Sequence, residues 1–295
     1  MISKTAMVTI CGRPNVGKST LTNALVGEKI AIVSNKPQTT RNRISAVVNR
    51  GDTQFIIIDT PGFHKPKTRL GDYMVNVVKE SVADVDSVML LVEPIANIGR
   101  QEEELIARIK ETGVPAILVI NKIDTVEKTE LLEVMARYSA AHEFDAVIPV
   151  SAKNGEGLAE LVSELGKYAQ PGPQLFPDDM ICDQPEKQIC AELVREKLLL
   201  CLDKEIPHGT AVEVTRFTER DNGIIDLDVT IYCEKASHKG IIIGRQGVML
   251  KRIGELARKD IEAFMGTKVF LQTWVKVKEN WRDSTAQLRN FGFTE

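Results

Sequence analysis

One eight-residue stretch restricts this chain more than any other. Gly12-Arg13-Pro14-Asn15-Val16-Gly17-Lys18-Ser19 has the spacing GxxxxGK[ST]; it follows a short apolar run at 7–11 and precedes a helical pattern. In that context the loop turns its backbone N–H groups inward around phosphate groups. Lys18 is placed for the β- and γ-phosphates and the Ser19 hydroxyl for Mg²⁺. The helix that opens here adds the positive end of its dipole. Gly12, Asn15, Val16, Gly17, Lys18, Ser19 and Thr20 are therefore candidate phosphate-side residues.

The loop needs a strand-to-helix joint at a sheet edge, and the first half of the chain supplies the sheet. Continuous apolar runs at 7–11, 55–58, 87–92, 116–120 and 146–150 suit strands buried on both faces. Amphipathic helical patterns lie between them, as at 101–112 and 158–168. The rhythm predicts an α/β P-loop domain, a mostly parallel sheet with helices on both faces. Ligands on such sheets sit at the carboxyl ends of the strands.

Three further motifs fall at those ends. Asp59-Thr-Pro-Gly62 follows the run at 55–58: Asp59 is the expected Mg²⁺ partner, and the Gly62 N–H can sense a γ-phosphate. Asn121-Lys122-Ile-Asp124 follows 116–120. An aspartate there can accept from the N1–H and 2-amino group of guanine, donors that adenine lacks. Ser151-Ala152-Lys153 follows 146–150 and offers a backbone N–H to the guanine O6. Of Thr39 and Thr40, in the polar stretch before the second strand run, Thr40 is the favoured third Mg²⁺ ligand beside Ser19 and Asp59. The catalytic set is then Asn15, Lys18, Thr40, Asp59 and Gly62, with GTP, GDP and Mg²⁺ as ligands.

These residues, GRPNVGKS at 12–19, PQTTR at 37–41, DTPG, NKID and SAK, resemble the Era family within the translation-factor-like P-loop GTPases. The resemblance implies GTP hydrolysis that switches two loops, near 30–43 and 60–80, between ordered and mobile states. The residue after DTPG is Phe63, which cannot orient the attacking water as a glutamine would. Asn15 is placed to coordinate a monovalent cation, as in similar GTPases that use K⁺.

The rhythm stops near 169. Three prolines and a glycine at 170–177 mark a stiff linker. The expected division is a GTP-binding domain at 1–169, a linker at 170–180 and an α+β type II KH domain with a tail at 181–295. A helix near 186–203, strands near 211–217 and 224–233, a helix at 247–265 and a strand near 268–277 carry it. His238-Lys239-Gly-Ile-Ile-Ile-Gly244-Arg245-Gln246-Gly247 resembles the GxxG loop of a KH domain, which clamps the backbone of about four nucleotides. Ile241 to Ile243 are expected to anchor the preceding helix while Arg245 and Gln246 face out. Residues 235–282 hold 11 basic and 4 acidic side chains, whereas 181–234 hold 6 and 12. That asymmetry is the footprint of a phosphate backbone. Lys239, Gly244, Arg245, Gln246, Gly247 and Lys251 are the candidate RNA contacts. The basic helix is expected to bury a stripe of Ile253, Leu256, Ala257, Ile261 and Phe264. Trp274, Lys276 and Lys278 fall on one face of the last strand.

The family resemblance implies a GTPase switch that binds small-subunit ribosomal RNA near its 3′ end and acts in small-subunit assembly. A formal charge of −3 and the absence of any apolar run of roughly 20 residues favour a soluble protein; a cytoplasmic monomer is expected. No signal-peptide layout is seen at the start. The five cysteines, without CxxC spacing, read as reduced core filler. Two other readings stand beside it. A membrane-associated signalling GTPase would turn the basic surface to anionic lipid, at the inner face of the cell membrane. An RNA chaperone would bind without regard to nucleotide.

Overall fold

The computed structural model describes residues 2–63, 66, 68–82 and 84–293. They form two compact units, 1–31 with 40–65 and 74–183, and 32–39 with 66–73 and 184–295. Of the second expected switch loop, His64, Lys65 and Lys67 lie outside the described residues.

The first half runs β1 (Lys4–Cys11), α1 (Lys18–Val26), β2 (Ile44–Arg50), β3 (Thr53–Asp59), α2 (Arg69–Ser81), β4 (Ser87–Val92), α3 (Arg100–Thr112), β5 (Ala116–Ile120), α4 (Lys128–Ala141), β6 (Ala146–Pro149), α5 (Leu158–Leu165) and β7 (Gln170–Pro171). The sheet order is β2-β3-β1-β4-β5-β6, with β7 beside β1. β3, β1, β4, β5 and β6 are mutually parallel. Every residue of β3, β4 and β5 is buried, as the apolar runs at 55–58, 88–92 and 116–120 at their centres favour. β1 lies between β3 and β4, so the strand order reverses beside the phosphate loop, where a crevice opens at the carboxyl ends.

Two features go beyond the sequence pattern. β2 runs antiparallel to β3 through a two-residue turn at Gly51 and Asp52. Its mixed run Ile-Ser-Ala-Val-Val-Asn-Arg has no clean alternation and becomes a strand by pairing. The segment expected as a linker is tied to the first sheet. β7 pairs antiparallel with β1, and the buried Gln54 side chain accepts from Leu175 N and Phe176 N, both at 2.9 Å. Prolines cannot complete a ladder, so this amide supplies the missing partners.

The second unit contains α6 (Glu186–Cys201), β8 (Thr210–Glu219), β9 (Ile225–Cys233), α7 (Ala236–Ile243), α8 (Val248–Met265), β10 (Val269–Val277) and a tail helix α9 (Thr285–Asn290). This α-β-β-α-α-β order, with β9 antiparallel to β8 and parallel to β10, is the type II KH arrangement expected. Ile253, Ala257 and Ile261 of α8 are fully buried, but Leu256 is 39% exposed, a correction to the expected stripe. The tail is anchored by Trp281, whose Nε1 donates to the Gly209 carbonyl at 2.9 Å and whose ring meets Phe291 edge-on.

Within this unit α6 buries three consecutive charges, Arg195, Glu196 and Lys197. Each is matched: Arg195 donates to the Gln38 and Thr39 carbonyls, Glu196 accepts from Val33 N at 2.9 Å, and Lys197 pairs with Asp260 at 2.5 Å. Buried charges persist only when so compensated. They explain why 32–39 belongs to this unit.

Candidate nucleotide site and nucleic-acid interface

The phosphate loop joins β1 to α1 in the expected position. Gly17, at φ 102°, precedes the helix; a Cβ there would lie 2.2 Å from Asn121 Nδ2, so only glycine fits. Asn15 is exposed and left-handed at φ 67°. Lys18 is buried, and its Nζ donates to the carbonyls of Gly12 at 3.1 Å and Arg13 at 2.8 Å. Burial pushes its amine down to about 8, opposed by the Asp59 charge.

Ser19, Thr40 and Asp59 come together. Ser19 Oγ donates to Asp59 Oδ2 at 2.8 Å and lies 2.7 Å from Thr40 Oγ1, whereas Thr39 Oγ1 turns to the Lys36 carbonyl at 2.6 Å. Thr40, not Thr39, therefore faces Ser19. Asp59 is fully buried, and burial pushes its carboxyl up to about 6 against the pull of Lys18 and the Ser19 hydroxyl. Its Oδ1 has no hydrogen-bond partner among the described residues. Two hydroxyls and a buried carboxylate with a vacant oxygen form a hard oxygen set that fits Mg²⁺. Phe63 N–H donates to the Gly12 carbonyl at 3.3 Å, and the Phe63 side chain packs against the sheet core. That keeps Gly62 beside the phosphate loop and leaves Phe63 no polar atom for a water.

The base side is stitched by Asn121. Its Nδ2 donates to the Val16 carbonyl at 2.9 Å, and its Oδ1 accepts from Ala152 N at 3.0 Å. One buried side chain thus joins three loops. Lys122, left-handed at φ 63°, reaches the Asn15 carbonyl at 2.7 Å. Asp124 is exposed and accepts from Ser151 Oγ at 2.7 Å; that bond holds its carboxyl below the usual range. An ionised, pre-oriented carboxylate at the mouth of the crevice is what two guanine N–H donors need. Lys153 is exposed beside it, and Thr20 is half-buried in the first turn of α1. Sequence reasoning missed Arg13, Glu93 and Glu102, which surround the back of the loop. Their only signal was their charge.

On the second unit, Gly244 to Gly247 link α7 to α8. Gly244 sits at φ 73°, where a Cβ would lie 2.7 Å from Met249 Cβ, and Gln246 is left-handed at φ 53°. The turn presents Arg245 and Gln246 to solvent, with Lys251 exposed and Lys239 half-buried nearby. Ile242 alone of the three isoleucines is fully buried. Ile241 is 49% exposed, a correction to its expected anchoring role, and with Val248 it leaves apolar surface beside the loop. Lys251, Arg252, Arg258 and Lys259 lie exposed along α8.

The family described as "50S ribosome-binding GTPase" matches residues 7–122, and "KH domain" matches 205–282. A protein named GTPase Era from Ruminiclostridium cellulolyticum is 52% identical, the match covering 99% of this chain and 98% of that one. GTPase Era from Alkaliphilus metalliredigens is 49% identical over 99% and 100%. A crystal structure of Era with MgGDPNP and nucleotides 1506–1542 of 16S ribosomal RNA superposes with a TM-score of 0.95 at 37% identity, covering 99% of this chain and all of that one. An Aquifex aeolicus Era variant bound to GDP and aluminium fluoride gives 0.94, also at 37%. With the phosphate, Mg²⁺ and guanine motifs assembled on one sheet edge and a KH unit following, the chain belongs to the Era family of GTPases.

Proposed function

We propose that this GTPase uses its KH loop to bind small-subunit ribosomal RNA near the 3′ end, and that it acts as a monomeric switch in small-subunit assembly. The observation that carries the reading is the GxxG turn, which presents Arg245 and Gln246 to solvent at the head of a basic helix. A solved relative holds 16S RNA. Glycine allows close approach of a phosphodiester, Arg245 can meet its charge, and the apolar surface of Ile241 and Val248 can meet bases.

In the nucleotide site, Lys18 meets the β- and γ-phosphates, Ser19, Thr40 and Asp59 hold Mg²⁺, and Asp124 reads guanine, with Lys122, Ser151, Ala152 and Lys153 framing the base. Mg²⁺, when bound, neutralises charge between the terminal phosphates. Gly62 reports the γ-phosphate through its N–H. Thr40 closes toward Ser19.

Filter binding at fixed salt tests the RNA reading. An RNA of the 16S 3′ end should be retained in preference to a scrambled RNA of equal length, since the electrostatic part is shared by both. Flotation on anionic vesicles is the companion measurement. Among the described residues no helix is long and apolar enough to cross a membrane. Flotation with equal retention of both RNAs would replace this reading with peripheral attachment to the inner membrane.

Phe63 leaves the transition-state charge to other groups. We assign Asn15 to a K⁺ beside the phosphates. Turnover should be faster in K⁺ than in Na⁺ at equal ionic strength. Asn15→Gly, which keeps the left-handed turn, should abolish the difference and change GTP affinity by no more than about tenfold, ~1.4 kcal/mol. Equal wild-type rates in both salts would reduce Asn15 to a turn former.

A further inference from the structure

The phosphate loop carries a second cation, and it points away from the phosphates. Arg13 Nε forms an ion pair with Glu102 in the first turn of α3, and Arg13 Nη2 lies 3.5 Å from Glu93 Oε2. Glu93 Oε1 lies 2.5 Å from Lys122 Nζ, which also donates to the Asn15 carbonyl at 2.7 Å. Glu102 is 1% exposed, a rare setting for a carboxylate. Neither of its oxygens accepts a well-aligned hydrogen bond among the described residues, so the Arg13 charge is its compensation. The fully buried Tyr138 stands near; burial and the Glu102 charge hold its phenol above the usual range, so it stays neutral.

We propose that Glu102 and Glu93 are positioning residues of the nucleotide site. Glu102 clamps the turn of the phosphate loop through Arg13. Glu93 bridges Arg13 to Lys122, so the phosphate loop and the base loop move as one piece. The inference rests on the reading of 12–19 and 121–124 as those two loops.

The physical case starts from backbone strain. Asn15, Gly17 and Lys122 all have positive φ, and Asn15 and Lys122 lack glycine's freedom. Such positions persist only where their surroundings over-determine them. The Arg13 carbonyl accepts from Lys18 Nζ at 2.8 Å, and the Asn15 carbonyl accepts from Lys122. A shift of Arg13 therefore moves both the cation that meets phosphate and the anchor of the base loop. A buried ion pair is no strong source of stability, since two apolar residues of like size often serve as well. What this pair supplies is the location of the loop.

That distinction gives the test. Arg13→Met combined with Glu102→Leu removes both charges together and strands neither. Thermal midpoint, the dissociation constant of a fluorescent GDP, and kcat and KM for GTP are measured on the full chain. The double variant should keep its thermal midpoint, bind GDP about tenfold or more weakly, and show a matching rise in KM with kcat little changed. Arg13→Met alone, which leaves the buried Glu102 carboxylate without its partner, should lower the midpoint, whereas Glu102→Leu alone leaves Arg13 part-exposed and facing Glu93 and should cost less. Glu93→Gln, at a partly exposed site, should weaken GDP binding several-fold in a fully stable protein. GDP affinity within twofold of wild type in the folded double variant, or a loss confined to kcat, overturns the proposal. Should the double variant not fold, Glu93→Gln decides, and unchanged GDP affinity there overturns it. Failure of the wild-type chain to bind GDP would instead remove the loop assignment beneath it.

Discussion

Asp124→Asn should turn this protein from a guanine binder into a xanthine binder. In the crevice the Asp124 carboxylate is held by Ser151 Oγ at 2.7 Å and kept ionised by that bond. It can accept from both the N1–H and the 2-amino group of guanine. Asparagine keeps one acceptor but sets an NH₂ against the 2-amino group, donor facing donor. GTP affinity should fall by about a hundredfold or more, as expected when two hydrogen bonds to the base are lost or mismatched. Xanthine carries a carbonyl at that position, so the same NH₂ becomes a partner and XTP should bind more tightly than GTP. Competition of labelled GTP or XTP with unlabelled GTP, ATP and XTP measures both. Equal competition by ATP against the unaltered protein would sink the guanine assignment.

The second large effect belongs to the KH loop. Arg245→Asp with Gln246→Asp places two carboxylates where the turn faces solvent and, by the present reading, phosphate oxygens. Both residues are exposed and Gln246 is left-handed, a conformation aspartate tolerates, so the fold should survive. RNA affinity should drop by at least thirtyfold, ~2 kcal/mol, with a shallower dependence on salt because fewer phosphates are neutralised. A circular dichroism spectrum and thermal unfolding profile like those of the unaltered protein report that the KH unit is folded, and GDP binding reports the same of the nucleotide-binding unit. Unchanged RNA affinity would move the contact to the face of β10 that bears Trp274, which is 44% exposed, and Lys276.

The nucleotide site was legible because its parts are local. GxxxxGKS, DTPG, NKID and SAK each encode their own backbone turn, and each stands directly after a mainly apolar strand. Once the strands are parallel, their carboxyl ends must meet, and the four motifs with them. The GxxG turn and the α-β-β-α-α-β order were readable for the same reason. The two misassigned apolar side chains, Ile241 and Leu256, show the limit: hydrophobicity says that a residue can be buried, and only packing says whether it is.

Motif spacing, together with the family resemblance it carries, thus indicated the two folds, the ligand and the candidate ligand-binding residues. Tertiary structure alone decided the rest. It turned 44–50 into a strand by pairing it with β3, and it tied the proline-rich segment to β1 and Gln54. It brought the hydroxyl of Thr40, the threonine the sequence already favoured, within 2.7 Å of Ser19 Oγ. It buried Arg195, Glu196 and Lys197, and it joined Arg13 to Glu102 across 89 positions of sequence. A charge reads the same in sequence whether water or a distant residue compensates it. The free energy of burying it depends on that partner, and the partner is known only when the chain is folded.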